Sequence, residues 1–154
     1  MSAPVTLIHK VVAYITRADE LLVFTHTDFP AAGLQVPAGT LESGEKPEQA
    51  VLREAQEETG LVGLKIKSYL GLQDLKFSSL GSSEIHRRYY FHLEHLAEPP
   101  AAWHHYEHHP SDGSPAPIGF DFFWVKFTPS PPELSGDQGF YLQKLARMHH
   151  RRRP

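Results

Sequence analysis

The apolar positions of the chain fall into short β-branched or aromatic runs, and two stretches with helical spacing interrupt them. Residues 9–16 (HKVVAYIT) and 21–25 (LLVFT) read as two strands joined by a polar turn at residues 17–20, a hairpin in pattern. Residues 28–33 form a loop marked by Pro30 and Gly33, and residues 34–37 read as a short strand entering Gly39. Residues 47–59 carry the first helix. Pro47 suits the opening position, where its missing N–H would have no partner, and Gly60 suits a left-handed stop. Residues 64–71 and 72–77 read as a strand or a bent strand, and residues 87–95 alternate as a further strand. Residues 98–119 hold five prolines and read as a long loop. Residues 120–127 (FDFFWVKF) form a strongly apolar strand, with Trp124 as core or half-buried sheet. A proline-rich loop at 128–136 leads to a closing helix at 139–148, whose candidate core positions are Phe140, Leu142, Leu145 and Met148. The whole is an α/β (α+β) pattern: a mixed sheet with a helix on either side, in one domain spanning residues 1–154.

Composition narrows the chemistry. The chain has 154 residues and no cysteine, so disulfides, thiolate metal sites and a cysteine nucleophile are excluded. A reducing, cytoplasmic setting fits that composition, and the first residues lack the pattern of a signal peptide. No stretch approaches the length of a membrane span. The net charge of -3 points to neither nucleic acid nor membrane as the main partner. Charge is concentrated locally at residues 147–154, where Arg147, Arg151, Arg152 and Arg153 flank His149 and His150. Such a tail can touch phosphate or acidic partners, and it is also what a solvated terminus looks like.

Residues 39–61 hold six glutamates. On a helix, Glu54, Glu57 and Glu58 fall at i, i+3 and i+4 and share one face, while Val51, Leu52 and Ala55 lie on another. Three stacked carboxylates repel, and Arg53 alone cannot neutralise them. A hard divalent cation, Mg²⁺ or Mn²⁺, is the natural counter-charge, with the Gly39 carbonyl as a further ligand. Glu45 is placed to reach back to Arg53. A solvated glutamate-rich helix is the competing reading of the same spacing.

The spacing of Gly39, Glu45 and Arg53-Glu54-Ala55-Gln56-Glu57-Glu58-Thr59-Gly60-Leu61 resembles the signature box of the Nudix hydrolases. Ala55 is the one soft departure, standing where the family usually places a bulkier aliphatic. The resemblance implies a Nudix α/β/α sandwich in which Glu54, Glu57 and Glu58 bind divalent metal with the Gly39 carbonyl. Arg53 would orient Glu57, and Glu45 would hold Arg53. It implies hydrolysis of a pyrophosphate bond in a nucleoside diphosphate linked to another group: a nucleotide sugar such as ADP-ribose, a dinucleoside polyphosphate, or a nucleoside triphosphate. Many relatives dimerise, so a homodimer is an expectation too. The alternatives are a nucleotide-binding module without turnover and a metal-dependent isomerase on the same scaffold.

The box leaves the general base open. Glu107 is the first candidate outside it, with Glu84 and Asp112 as alternatives. Trp103, His104, His105, Tyr106, His108 and His109 cluster around Glu107. Trp103 or Tyr106 could stack on a base, and Arg87 or Arg88 could reach phosphates from a strand edge. His104 and His108 have the spacing of a helical zinc pair, but the nearby prolines argue against a helix there.

Overall fold

The computed structural model describes residues 4–107 and 117–151. Seven strands form one sheet: β1 (Val5–Arg17), β2 (Glu20–His26), β3 (Ala38–Thr40), β4 (Leu64–Ser79), β5 (Ser82–His95), β6 (Ala102–Glu107) and β7 (Ile118–Lys126). Among the described residues two α-helices, α1 (Pro47–Thr59) and α2 (Leu142–Arg151), pack against it. The order is β4-β5-β1-β2-β7-β6, with β3 beside β1. The β1–β5 pair is parallel and the other pairs are antiparallel.

The period-two alternation of β1 divides the core into two layers. Val11, Ala13 and Ile15 point to the α1 side, where they meet Ala50, Val51, Ala55, Phe91 and Phe122. Val12 and Tyr14 point to the α2 side, where they meet Val23, Tyr90, Phe127, Leu142 and Leu145. The fold class expected from the pattern, a mixed sheet between helices, is the one observed. No helix among the described residues is long and apolar enough to cross a membrane.

One irregularity positions the site. β1 and β2 pair only beside their turn, at Thr16↔Leu21 and Arg17↔Glu20, and then separate. The chain after Gly33 fills the wedge between them. Gln35 exchanges two backbone hydrogen bonds of 2.9 Å with Phe24 of β2, and Ala13 of β1 donates to the Pro37 carbonyl at 2.8 Å. β3 then pairs with Lys10–Val12 of β1. The short strand expected at residues 34–37 is thus a single bridge, and the regular pairing begins at Ala38.

Several other elements differ from the expectation. Residues 64–77 form one strand with irregularities between Ile66 and Ser68 and between Tyr69 and Gly71. Gly71 takes φ +143° there, and the Tyr141 ring occupies the space a Cβ would need. The expected loop at 98–119 contains β6, which pairs along β7 from Ala102↔Phe123 to Glu107↔Ile118. Its sequence, AWHHYE, lacks the apolar alternation of a strand because its inward side bonds through polar groups, as described below. The closing helix begins three residues late, at Leu142, so Phe140 lies before it and is exposed; Leu142 and Leu145 are buried as expected. It also continues through Arg151, so Arg147 and Arg151 sit on a helix and not in a frayed tail.

Leu145→Ala removes a fully buried side chain between α2 and the sheet. It should lower unfolding free energy by roughly 2–5 kcal/mol, read from the urea midpoint, while leaving the carboxylate site on the opposite layer intact.

Candidate functional site

Arg53 organises the acidic helix. Its Nε and Nη2 donate to the two Glu45 oxygens at 2.7 and 2.8 Å, a bidentate pair. Nη2 also donates to the Thr40 carbonyl at 3.1 Å. Nη1 donates to Glu54 at 3.0 Å and Glu57 at 3.3 Å. One guanidinium thus ties together the β3 end, the loop before α1 and two turns of α1. Its hydrogen bond with Glu45 holds the Glu45 carboxyl below its usual range and raises the arginine's own proton affinity.

Glu54 is the most deeply buried of the α1 carboxylates, 2% exposed. One oxygen accepts from Arg53, and Oε2 has no hydrogen-bond partner among the described residues. Burial raises its pKa to about 7, against the opposing pull of Arg53. Gly39 makes the burial possible: a Cβ at that position would coincide with the Glu54 carboxyl group. Glycine is required here for space and not for a left-handed backbone. Glu58, also buried, accepts the Ala38 N–H at 2.7 Å and so joins α1 to the strand carrying Gly39. Glu57 is half exposed.

β6 brings the next carboxylate. Its residues alternate, so Trp103, His105 and Glu107 face α1 while His104 and Tyr106 are exposed. Trp103 Nε1 donates to the Thr59 carbonyl at 2.8 Å, and its ring stacks on Phe122. His105 Nε2 lies 2.9 Å from the Glu57 carbonyl, which can only accept, so this nitrogen carries the proton. These side chains occupy carbonyls at the helix C-terminus that have no partner within the helix. A Cβ on Gly60 would press on the His105 ring at 2.9 Å, giving that glycine a second purpose beside its left-handed φ of +75°. Next along the strand, Glu107 is 5% exposed. One carboxylate oxygen each from Glu54, Glu57 and Glu107 lie within 4.8 Å of one another. A buried carboxylate oxygen without a hydrogen bond, two further carboxylates at this separation and a cradle open only to glycine together fit a hard divalent cation.

The cleft opens where β1 and β2 separate, with a volume of about 360 Å³. Gly39, Glu58 and Glu107 line one part, and Phe24, His26 and Phe120 form an aromatic wall. Lys10, Gln35, Arg88 and Gln138 add polar groups. Gln138 is fixed in place, since its side-chain oxygen accepts the Val36 N–H at 2.9 Å and its carbonyl accepts from the buried Tyr14 hydroxyl.

The structure sorts the expected substrate contacts. Arg88 lines the cleft and donates to the Gly136 carbonyl at 2.7 Å. Arg87 points to the other face, as strand alternation requires, and forms a bidentate pair with Asp74 at 2.9 Å. It does not line the cleft. Neither does Trp103, whose indole is committed to α1 and Phe122, nor Tyr106, which packs edge-on against the exposed His104. His104 pairs with Asp121 at 2.7 Å. Glu84 pairs with His86 on the β4–β5 hairpin, outside the carboxylate cluster. His108, His109 and Asp112 lie outside the described residues. Sequence reasoning missed Phe24, His26, Gln35 and Gln138 as cleft residues. Strand and loop apolar patterning gave no sign of them, because the wedge that opens the cleft beside them depends on long-range pairing.

The NUDIX domain model matches residues 7–125, and the chain belongs to that family. Its general chemistry is pyrophosphate hydrolysis with a divalent cation. No curated protein matches this sequence. Solved structures share the fold. A UDP-X diphosphatase aligns with TM-score 0.61 and 16% identity over 94% of this chain, which spans 64% of that protein's length. The MutT NUDIX hydrolase from Burkholderia pseudomallei aligns with TM-score 0.57 and 19% identity, over 91% of this chain and 98% of the other. A NUDIX hydrolase from Nitrosomonas europaea aligns with TM-score 0.52 and 22% identity, over 94% and 86%.

Gly39→Ala should displace the Glu54 carboxyl from its notch. Isothermal titration with Mn²⁺ should then show metal affinity reduced at least tenfold; unchanged affinity would remove Gly39 from the site. A second expectation concerns pH. In metal-free protein between pH 4.5 and about 7, the native state keeps the Glu54 proton that the unfolded state has released. Stability from this group is therefore present below pH 4.5 and declines as pH rises to 7, by on the order of 3 kcal/mol. Denaturant midpoints in chelator, compared with Glu54→Gln, should show that decline in the wild type and not in the variant.

Proposed function

We propose that this protein hydrolyses the pyrophosphate bond of a nucleoside diphosphate linked to a second group, using Mg²⁺ or Mn²⁺. The observation that carries the reading is the convergence of Glu54, Glu57 and Glu107 beside a cleft that Glu107 also lines. Glu54 and Glu57 would hold the cation, with Glu58 and the Gly39 carbonyl as the remaining protein ligands from α1 and β3. When bound, the cation supplies charge neutralisation at phosphoryl oxygens and lowers the pKa of coordinated water. The chain's own groups do the rest. Arg53 and Glu45 keep the carboxylates in register with β3. Arg88, which lines the cleft and donates to the Gly136 carbonyl, offers positive charge to a phosphoryl group. His26, backed by the buried Phe24 and Phe120, gives the cleft an aromatic surface for a ring.

In the reaction, water attacks one phosphorus, a new P–O bond forms, and the bridging P–O bond breaks to give two phosphate products. Glu107 is the group we assign to accept the proton of that water. It is held on β6, apart from the helix that carries the other carboxylates. The cleft's volume sits near the small end of small-molecule sites, which suits a nucleotide portion entering with its partner group outside. Nucleotide sugars, dinucleoside polyphosphates and nucleoside triphosphates all satisfy that requirement.

A panel of these three classes, each with and without Mg²⁺ or Mn²⁺, tests the reading. Metal-dependent release of a nucleoside monophosphate or of pyrophosphate is expected from at least one class. Glu57→Gln should lower kcat/KM roughly a hundredfold or more. Glu107→Gln should lower kcat by about 10²–10⁴ with metal affinity nearly kept. If Glu107→Gln instead loses the metal with kcat recoverable at high Mn²⁺, Glu107 is a ligand and not the base. Tight nucleotide binding with no turnover on any member would replace the enzyme by a binding module.

A further inference from the structure

A second cavity lies away from the carboxylates, between α2 and the chain that follows β7. Its volume is about 720 Å³, twice that of the cleft. Lys126, Arg147, His149, His150 and Arg151 line it, with Asp19 as the acidic group among the lining residues. Thr128, Pro129, Pro131, Gln143 and Ala146 complete the surface. β7 runs from Ile118, in the cleft wall, to Lys126, in this groove. At a strand rise of about 3.3 Å per residue, the two sites stand roughly 25 Å apart. They are separate sites on one sheet.

The cations are arranged and not merely numerous. Arg147 and Arg151 are four residues apart on α2, so their side chains emerge from one face of the helix. Lys126 stands across from them at the end of a strand, and Asp19 lies 3.7 Å from it. Neither Arg147 nor Arg151 has a carboxylate partner among the described residues. His149 is edge-packed on the buried Phe127 ring, which fixes the last turns of the helix against the sheet. Cations near a helix C-terminus complement its dipole. That accounts for the sign of the charges in the last turn, but not for Lys126, which belongs to the sheet, nor for a cavity between the two elements.

We propose that this groove is a binding site for a small organic phosphate of nucleotide size. Guanidinium groups bind phosphate through parallel N–H···O bonds, and Arg147 and Arg151 supply two such forks on one rim. The prolines and Ala146 supply an apolar surface for the body of the ligand. A cavity of this volume falls within the range of small-molecule sites. A bare anion would leave most of it unfilled, so the ligand carries its phosphate on a larger group.

The experiment measures ADP binding by calorimetry in chelator, where the carboxylate site lacks its cation. The full chain is used, beside Arg147→Gln/Arg151→Gln and, off the helix, Lys126→Gln. Wild type should bind one equivalent of ADP, with affinity falling as salt rises. The double variant should bind at least tenfold more weakly and Lys126→Gln several-fold more weakly, with circular dichroism and metal-dependent hydrolysis unchanged in both. Inorganic pyrophosphate should bind more weakly than ADP, because it leaves the apolar surface uncovered. Equal ADP affinity in all three proteins would overturn the proposal. So would an acidic peptide binding as tightly as ADP, or a single-stranded RNA binding where ADP does not. Since the readout is taken without metal, failure here leaves the hydrolytic reading standing, and loss of hydrolysis elsewhere leaves this groove standing.

Discussion

A carboxylate packed against a backbone that has no Cβ sets the geometry of the acidic site. Glu54 occupies the space that any other residue at position 39 would fill. That contact fixes the distance between α1 and β3, and the Glu58 bond to Ala38 fixes their register. The cost is a buried carboxyl group whose ionised form is disfavoured, so its pKa rises to about 7. Arg53 offsets part of that cost, but it also serves Glu45, Glu57 and the Thr40 carbonyl. One guanidinium against several carboxylates leaves an excess of negative charge, which suits a cation of charge two.

The same region is where the sheet opens. Ordinary hairpin strands would stay paired along their length, and a β1–β2 pair zipped past Thr16 would leave no cleft. The insertion of residues 35–40 between them gives both separated strands a hydrogen-bonded neighbour, at Phe24 of β2 and at Lys10–Ala13 of β1. Splitting the sheet therefore carries little penalty in unmet backbone bonds. It delivers Gly39 to the helix and opens the cleft along the buried Phe24 and Phe120. Cleft and acidic cluster have a common origin in this one wedge.

How much of this could be read from the chain follows from the range of the interactions. α1 was readable to its ends, because Pro47, Gly60 and the i, i+3, i+4 glutamates are local signals. Arg53, Glu45 and Gly39 were readable through fixed spacing. The strand β6 was not. Its inward residues Trp103, His105 and Glu107 bond to helix carbonyls or join the carboxylates, so polar side chains occupy positions where a strand usually shows apolar ones. Proline at 99, 100 and 110 reinforced the look of a loop. Glu107 stood out in the sequence for its neighbourhood, yet the reason it reaches the acidic site is the strand alternation that the same neighbourhood concealed. Trp103 and Tyr106 show the converse. An aromatic cluster beside a candidate base looked like a ring platform, whereas one ring braces α1 and the other is exposed away from the cleft.

That bracing explains why a half-exposed Glu57 can act in register with two buried carboxylates. A helix frays first at its C-terminal turn, where carbonyls lack partners. Glu57 and Glu58 lie in that turn. Trp103 and His105 bind its carbonyls, and Gly60 is small enough to let the imidazole approach. The same two residues fix where Glu107 falls, since they precede it on one strand at intervals of two. Helix end and strand end are thus positioned by the same contacts. A change that loosened β6 would displace Glu107 and free the last turn of α1 together, so the cluster behaves as one unit drawn from two elements that lie far apart in the sequence.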